Sequence, residues 1–274
     1  MRATRILLAV LILVLGTCTA LFAEEGDAEA TGPTMENLIA EGKYQEALDL
    51  GQQFIKTYTE ADKLEELPSA FYINLGTAHY FLETYQAAID AFDKAYELAD
   101  VDSLFDPKPM EYKATCYHKL GQLDKEIETF QMILEDIVEP GSEKEMEIQY
   151  ALAHLLEQQS RFDEAFELYE ALIEADPTYK GVAYDAGALY FNKGRLEDAK
   201  RCFGKALDAN PANEFANLGM AKIVMKNKDR AEKIKAIPYL EKYLEVSENE
   251  NLKKRVTGLL ETLRKIQKEL AAGK

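Results

Sequence analysis

Through residues 180–213, KGVAYDAGALYFNKGRLEDAKRCFGKALDANPAN, small and large apolar side chains recur at helical spacing between charged ones. The small residues are Gly187, Ala199 and Ala206; the large ones are Tyr190, Leu196 and Phe203. This pattern predicts two helices, Val182–Asn192 and Leu196–Asn210, each with a small residue where the other must approach closely. Asn192-Lys193-Gly194-Arg195 supplies the turn, because glycine enters the left-handed region without steric cost. Asn210-Pro211 ends the second helix, since the residue before proline is driven out of the helical region.

The same spacing recurs along the chain. Gly76, Tyr85, Ala88, Phe92 and Ala95 repeat it in 69–102, and Ala114, Tyr117, Gly121, Leu123 and Phe130 in 107–140. Ala153, Phe162, Ala165, Tyr169 and Pro177 repeat it in 146–179. Glu126 stands where the other units carry a small residue, which predicts a looser helix contact there. The unit over about 28–61 matches at Gly42, Tyr44 and Ala47 but has Gly51 where a large residue belongs, and Thr31 is its candidate helix cap. The unit over 214–250 carries a basic turn, Lys226–Lys235, and resumes at Ala236, Leu240 and Tyr243, with Pro238 placed at the start of a helix. Over 251–270, Leu252, Val256, Leu259, Leu260, Leu263, Ile266 and Leu270 share one helical face and Lys and Arg crowd the other, as expected of a helix that closes the end of a core.

The spacing resembles the tetratricopeptide repeat (TPR), whose period is 34 residues; the eight signature places are held by Gly187, Tyr190, Gly194, Leu196, Ala199, Phe203, Ala206 and Pro211. The Trp often found in such repeats is absent, because the chain has none. The resemblance implies an all-α fold: a right-handed superhelical solenoid of helix-turn-helix repeats over 33–250, with a C-terminal capping helix over 251–270. It also implies a concave groove lined by the first helix of each pair, and hence a protein or peptide ligand. Mapped onto this chain, the groove residues include Tyr80, Tyr112, Tyr150, His154, Tyr184 and Phe191, a ladder of rings suited to gripping a peptide; the same rings could instead pack between repeats. The Lys and Asn positions by which some TPR modules clamp a terminal carboxylate are occupied here by other residues.

Residues 1–23 follow a different pattern. Arg2 and Arg5 precede the apolar run Ile6–Leu15, and the chain turns acidic at Glu24-Glu25, which reads as a secretory signal peptide cleaved after Ala23 or Ala20. Leu15-Gly16-Thr17-Cys18 is similar to a bacterial lipobox and offers lipidation of Cys18 as an alternative, against which Thr17 and the apolar Leu21-Phe22-Ala23 count. The 18-residue apolar stretch Ile6–Ala23 also reaches the lower edge of a membrane span, so an uncleaved anchor is the third reading. Each places the repeats in the periplasm or cell envelope, on a flexible acidic tether, 24–32. Membrane attachment is expected only if Cys18 is lipidated or the signal stays uncleaved.

Charge narrows the partner. Without residues 1–23 the chain carries 30 Lys and Arg against 49 Asp and Glu, a net charge of −19. Residues 251–274 hold seven basic and two acidic residues, which leaves −24 on 24–250. Such a body repels phosphate backbones, so nucleic acid is not an expected partner. His79, His118 and His154 fall in different repeats without ligand spacing, and no catalytic motif is present, so neither enzyme, metal nor cofactor is expected. Cys116 and Cys202, two repeats apart on predicted helices, read as buried thiols rather than a disulfide.

Overall fold

The computed structural model describes residues 34–99 and 106–272. The signal peptide, the tether, Thr31 and Cys18 lie outside the described residues. All regular structure among those described is helical, and the chain divides into two compact units at Val138/Glu139.

The first unit holds three helical hairpins: α1 (Met35–Ala40) with α2 (Tyr44–Glu60), α3 (Ser69–Phe81) with α4 (Tyr85–Leu98), and α5 (Lys108–Lys119) with α6 (Leu123–Met132). A π-turn, Ile133–Ile137, extends α6. The second unit pairs α7 (Glu143–Gln158) with α8 (Phe162–Ala175) and α9 (Val182–Asn192) with α10 (Leu196–Ala209). It continues through α11 (Glu214–Met225), the short α12 (Arg230–Lys233), α13 (Ile237–Val246) and α14 (Glu250–Ala271).

Caps fix several starts. Thr34, not Thr31, caps α1, accepting from the Asn37 N–H at 3.1 Å; Ser142 caps α7 through the Glu145 N–H and Asn213 caps α11 through the Ala216 N–H. Pro238 lies in the first turn of α13, where its missing N–H leaves no helical bond unmade. Asn210 falls just outside α10, in extended conformation (φ −142°), as the following proline requires.

The five hairpin turns share one geometry. Gly42, Glu83, Gly121, Ser160 and Gly194 all have positive φ, from 59° to 77°. The next residue's N–H reaches back five residues, as in Arg195 to the Tyr190 carbonyl at 2.9 Å and Thr84 to the His79 carbonyl at 3.0 Å. This is the Schellman bond that satisfies the orphan carbonyls of a helix end. Two of the five turns thus hold a side-chain-bearing residue in the left-handed region, at a steric cost glycine avoids.

Within each hairpin, small residues let the helices close. Ala88, Ala165 and Ala199 are wholly buried. Phe203 of α10 lies between Gly187 of α9 and Gly219 of α11, and Phe92 of α4 covers Gly76 of α3. Gly51 replaces a large ring, and Met35 and Leu75 occupy the space; a Cβ there would come within 3.0 and 3.1 Å of them. Glu126 is itself buried, 7% exposed, and hydrogen-bonded to His118 Nδ1 at 3.0 Å. Its length reaches past the helix crossing to the half-exposed imidazole.

The second unit ends as the amphipathic pattern predicts. Val256, Leu260 and Leu263 of α14 pack with Leu240 and Tyr243, while Leu270, placed on the same face, lies beyond the core and is exposed. The basic turn 226–235 is largely helical, with α12 and a 3₁₀ turn at Ile234–Ala236, because Asp229 caps it through the Ala231 N–H.

Candidate functional site

In the first unit, Tyr80 of α3 and Tyr112 of α5 stack with centroids 4.5 Å apart and planes at 27°. Phe81 stands edge-on to both, at 5.1 and 5.9 Å, and stacks on Tyr44 at 4.4 Å. The two tyrosines therefore pack against the neighbouring repeat, and their faces are half-buried. Phe81, 41% exposed, carries the open ring of this cluster. Sequence reasoning passed over it although it follows Tyr80 and occupies a groove position of the repeat. Burial pushes the Tyr80 phenol up, so it stays neutral and acts as a hydrogen-bonding ring.

In the second unit, Tyr150, His154 and Glu157 project from α7 towards Tyr184 and Asp185 of α9. The Tyr150 hydroxyl donates to Asp185 Oδ2 at 2.6 Å, and its ring meets His154 edge-on at 4.5 Å. His154 Nδ1 lies 3.1 Å from the hydroxyl of Tyr169, a fully buried ring on α8, and that hydroxyl reaches Glu157 Oε2 at 3.3 Å. His154 Nε2 is 3.8 Å from Asp185 Oδ2. Burial, with the neighbouring carboxylates next, pushes the phenols of Tyr150 and Tyr169 well above their ordinary range. Both are donors of fixed charge state that orient the carboxylates and the imidazole.

Beside this network opens a cavity of ≈ 440 Å³, lined by His154, Glu157, Gln158, Tyr184, Asp185 and Ala188. Tyr184 is tilted against Phe203 at 6.0 Å and Phe215 at 5.6 Å; Phe215, 52% exposed, extends the aromatic wall of α11. Phe191, one turn beyond Ala188, lies under the Lys226 ammonium at 4.6 Å and is not among the lining residues. The structure thus brings His154 and Tyr184 to one cavity with Tyr150 bonded to its Asp185, and leaves Phe191 to a separate contact. Tyr169 lay outside the sequence-derived groove positions because it is on a second helix; its hydroxyl and its ring, edge-on to His154 at 5.7 Å, join it to the site.

Among the described residues no group of three His, Cys, Asp or Glu side chains is placed to hold a metal ion. Cys116 and Cys202 are free and buried, and burial pushes both thiols up to about 11, which removes them as nucleophiles near neutral pH. No described helix is long and apolar enough to cross a membrane.

Comparison with known proteins agrees with this architecture. Two tetratricopeptide-repeat family models match, over residues 36–103 and 155–223. The TPR repeat-containing protein MJ1428 of Methanocaldococcus jannaschii is 25% identical over 238 residues, covering 84% of this chain and 39% of its own; the chain therefore spans well under half the length of that relative. Among solved structures, the C-terminal part of a TPR repeat-containing protein from Cytophaga hutchinsonii superposes with TM-score 0.56 at 20% identity, covering 77% of each chain. YrrB, described as a TPR protein with an unusual peptide-binding site, is similar at 22% identity and TM-score 0.49, covering 66% of this chain and 86% of its own. Helical hairpins with small residues at their crossings, glycine-type turns between them and two family matches agree: the chain belongs to the tetratricopeptide-repeat family.

Proposed function

We propose that this protein is a non-catalytic scaffold of the bacterial cell envelope, exported by residues 1–23, that holds a partner protein or peptide on the first-helix face of its repeats. Tetratricopeptide repeats are protein-interaction scaffolds and generally lack catalysis, which sets the class. The observation that carries the reading is the cavity beside Tyr184. It opens on the first helices α7 and α9, it is walled by an aromatic ring and polar groups, and its side chains are held in place by the Tyr150–Asp185 and Tyr169–His154 bonds. Rigid rings next to oriented polar groups bind extended chains at low entropic cost.

A photo-crosslinking residue at position 184 tests this in the native envelope. A discrete adduct from position 184, and none from position 208 on α10, supports the reading; equal labelling from both positions refutes it. The lipobox-like Leu15-Gly16-Thr17-Cys18 keeps open a second form of the same role, a lipid-anchored accessory subunit of a transporter or outer-membrane assembly complex. Mass spectrometry of the mature N-terminus separates the two: a diacylated Cys18 supports the anchored form, and an unmodified chain starting at Glu24 excludes it.

A further inference from the structure

Among the described residues, the lining of the cavity between α7 and α9 includes two carboxylates and one imidazole but neither lysine nor arginine. Several acids elsewhere in this unit are matched: Glu164 pairs with Arg161, Glu170 with Arg201, Asp198 with Arg195 and Glu147 with Lys144. Among the described residues, Glu157 and Asp185 meet His154, at 4.0 and 3.8 Å, and the hydroxyls of Tyr169 and Tyr150. Lys180, the neighbouring base, pairs with Glu147 at 3.8 Å and lies over the rings of Tyr179 at 5.3 Å and Tyr150 at 6.0 Å, with no ion pair to Asp185 or Glu157 among the described residues. Tyr184 lines the same cavity, and its ring meets Phe215 at 5.6 Å.

We infer that this cavity is the subsite for a lysine or arginine side chain of an extended partner, its charge held by Glu157 and Asp185 and its methylene stem lying on Tyr184. The inference rests on the groove reading above and adds to it the chemistry of the occupant. Long basic side chains suit such a place because their stems cover apolar surface while the charged head stays polar. A charge-assisted bond to a carboxylate already oriented by a tyrosine needs little reorganisation. The excess of −24 on residues 24–250 draws basic segments towards the repeats, although this long-range attraction alone selects no site.

The test uses the full chain and a fluorescein-labelled peptide of alternating Lys and Ala, read by anisotropy at physiological salt. The Lys peptide binds, and its Glu-for-Lys counterpart does not. Asp185→Asn and Glu157→Gln, which keep shape and hydrogen bonding, each weaken binding about tenfold, the order expected for one charge-assisted bond. Asp208→Asn, which removes the same charge from an exposed site on α10, changes binding less than twofold. Equal losses in all three variants would mean attraction to overall charge alone and overturn the assignment, as would binding of the Glu peptide or no binding of the Lys peptide. A crosslink from position 184 that persists when the Lys peptide fails to bind would sink the cationic subsite and leave the groove reading standing. Circular dichroism of each variant separates lost binding from lost fold.

Discussion

Phe203 is held on two edges by bare backbone, and this makes Gly187 the most informative single substitution in the second unit. A Cβ built at Gly187 comes to 2.7 and 2.8 Å from Cδ1 and Cε1 of the ring, and one built at Gly219 comes to 2.6 Å from Cε2 and Cζ. The ring is 2% exposed, so movement away from one glycine drives it into the other. Gly187→Ala gains about 0.5–1 kcal/mol from helix propensity and loses about 1–3 kcal/mol to overpacking. The second effect wins because the obstacle is a trapped ring rather than a flexible chain end, and the net cost is about 1–2 kcal/mol. Gly204→Ala, on the same helix as Phe203 but with no heavy atom within 4 Å of the new Cβ, gains about 0.5–1 kcal/mol. Urea unfolding followed by far-UV circular dichroism reads both. In a Phe203→Leu background the cost of Gly187→Ala falls or reverses, which isolates the ring as its cause. A Gly187→Ala protein as stable as the parent would refute the reasoning.

Glu83→Gly and Ser160→Gly each relieve a left-handed residue at a hairpin turn, and each raises the urea midpoint by the equivalent of about 1 kcal/mol; no change in either would show that the turns carry no strain. Glu126 is buried, which pushes its carboxyl up more than the His118 bond pulls it down. The folded state therefore holds this proton more tightly than the unfolded chain, and the contribution to stability falls as pH rises above the ordinary glutamate value. Glu126→Gln accordingly gains on the parent as pH rises above the ordinary glutamate value; a pH-independent difference between the two denaturation midpoints would contradict this. Asp93→Asn leaves the buried Lys113 ammonium without its partner carboxylate and costs about 1–2 kcal/mol, discounted because Asp93 is partly exposed; an unchanged thermal midpoint would refute it.

The repeat was legible because it is written in residues that do one thing each: alanine or glycine at crossings, a ring between them, glycine at the turn, proline after the second helix. Every hairpin partner in 180–213 follows from those. Glu83 and Ser160 hid their turns, since neither has the glycine that marks a left-handed position, and only the backbone reveals them. The partner of Glu126 was hidden as well: spacing marks a long side chain at a crossing, but cannot see that it runs out to the imidazole of His118. The aromatic ladder was visible as residues and invisible as function. Tyr80 and Tyr112 spend their faces on each other, while Tyr150 becomes a donor to Asp185, and nothing in the spacing distinguishes those fates. Tyr169 entered the site through a hydroxyl from a second helix, which no first-helix list includes.

The two described cysteines fall one to each compact unit, Cys116 in the first and Cys202 in the second, both fully enclosed. A thiol-reactive dye added in pulses during denaturation would therefore date the opening of each half separately, with peptide mapping telling the two labels apart. The chain carries its own pair of stopwatches, and whether its halves come undone together or in turn can be timed without engineering a probe.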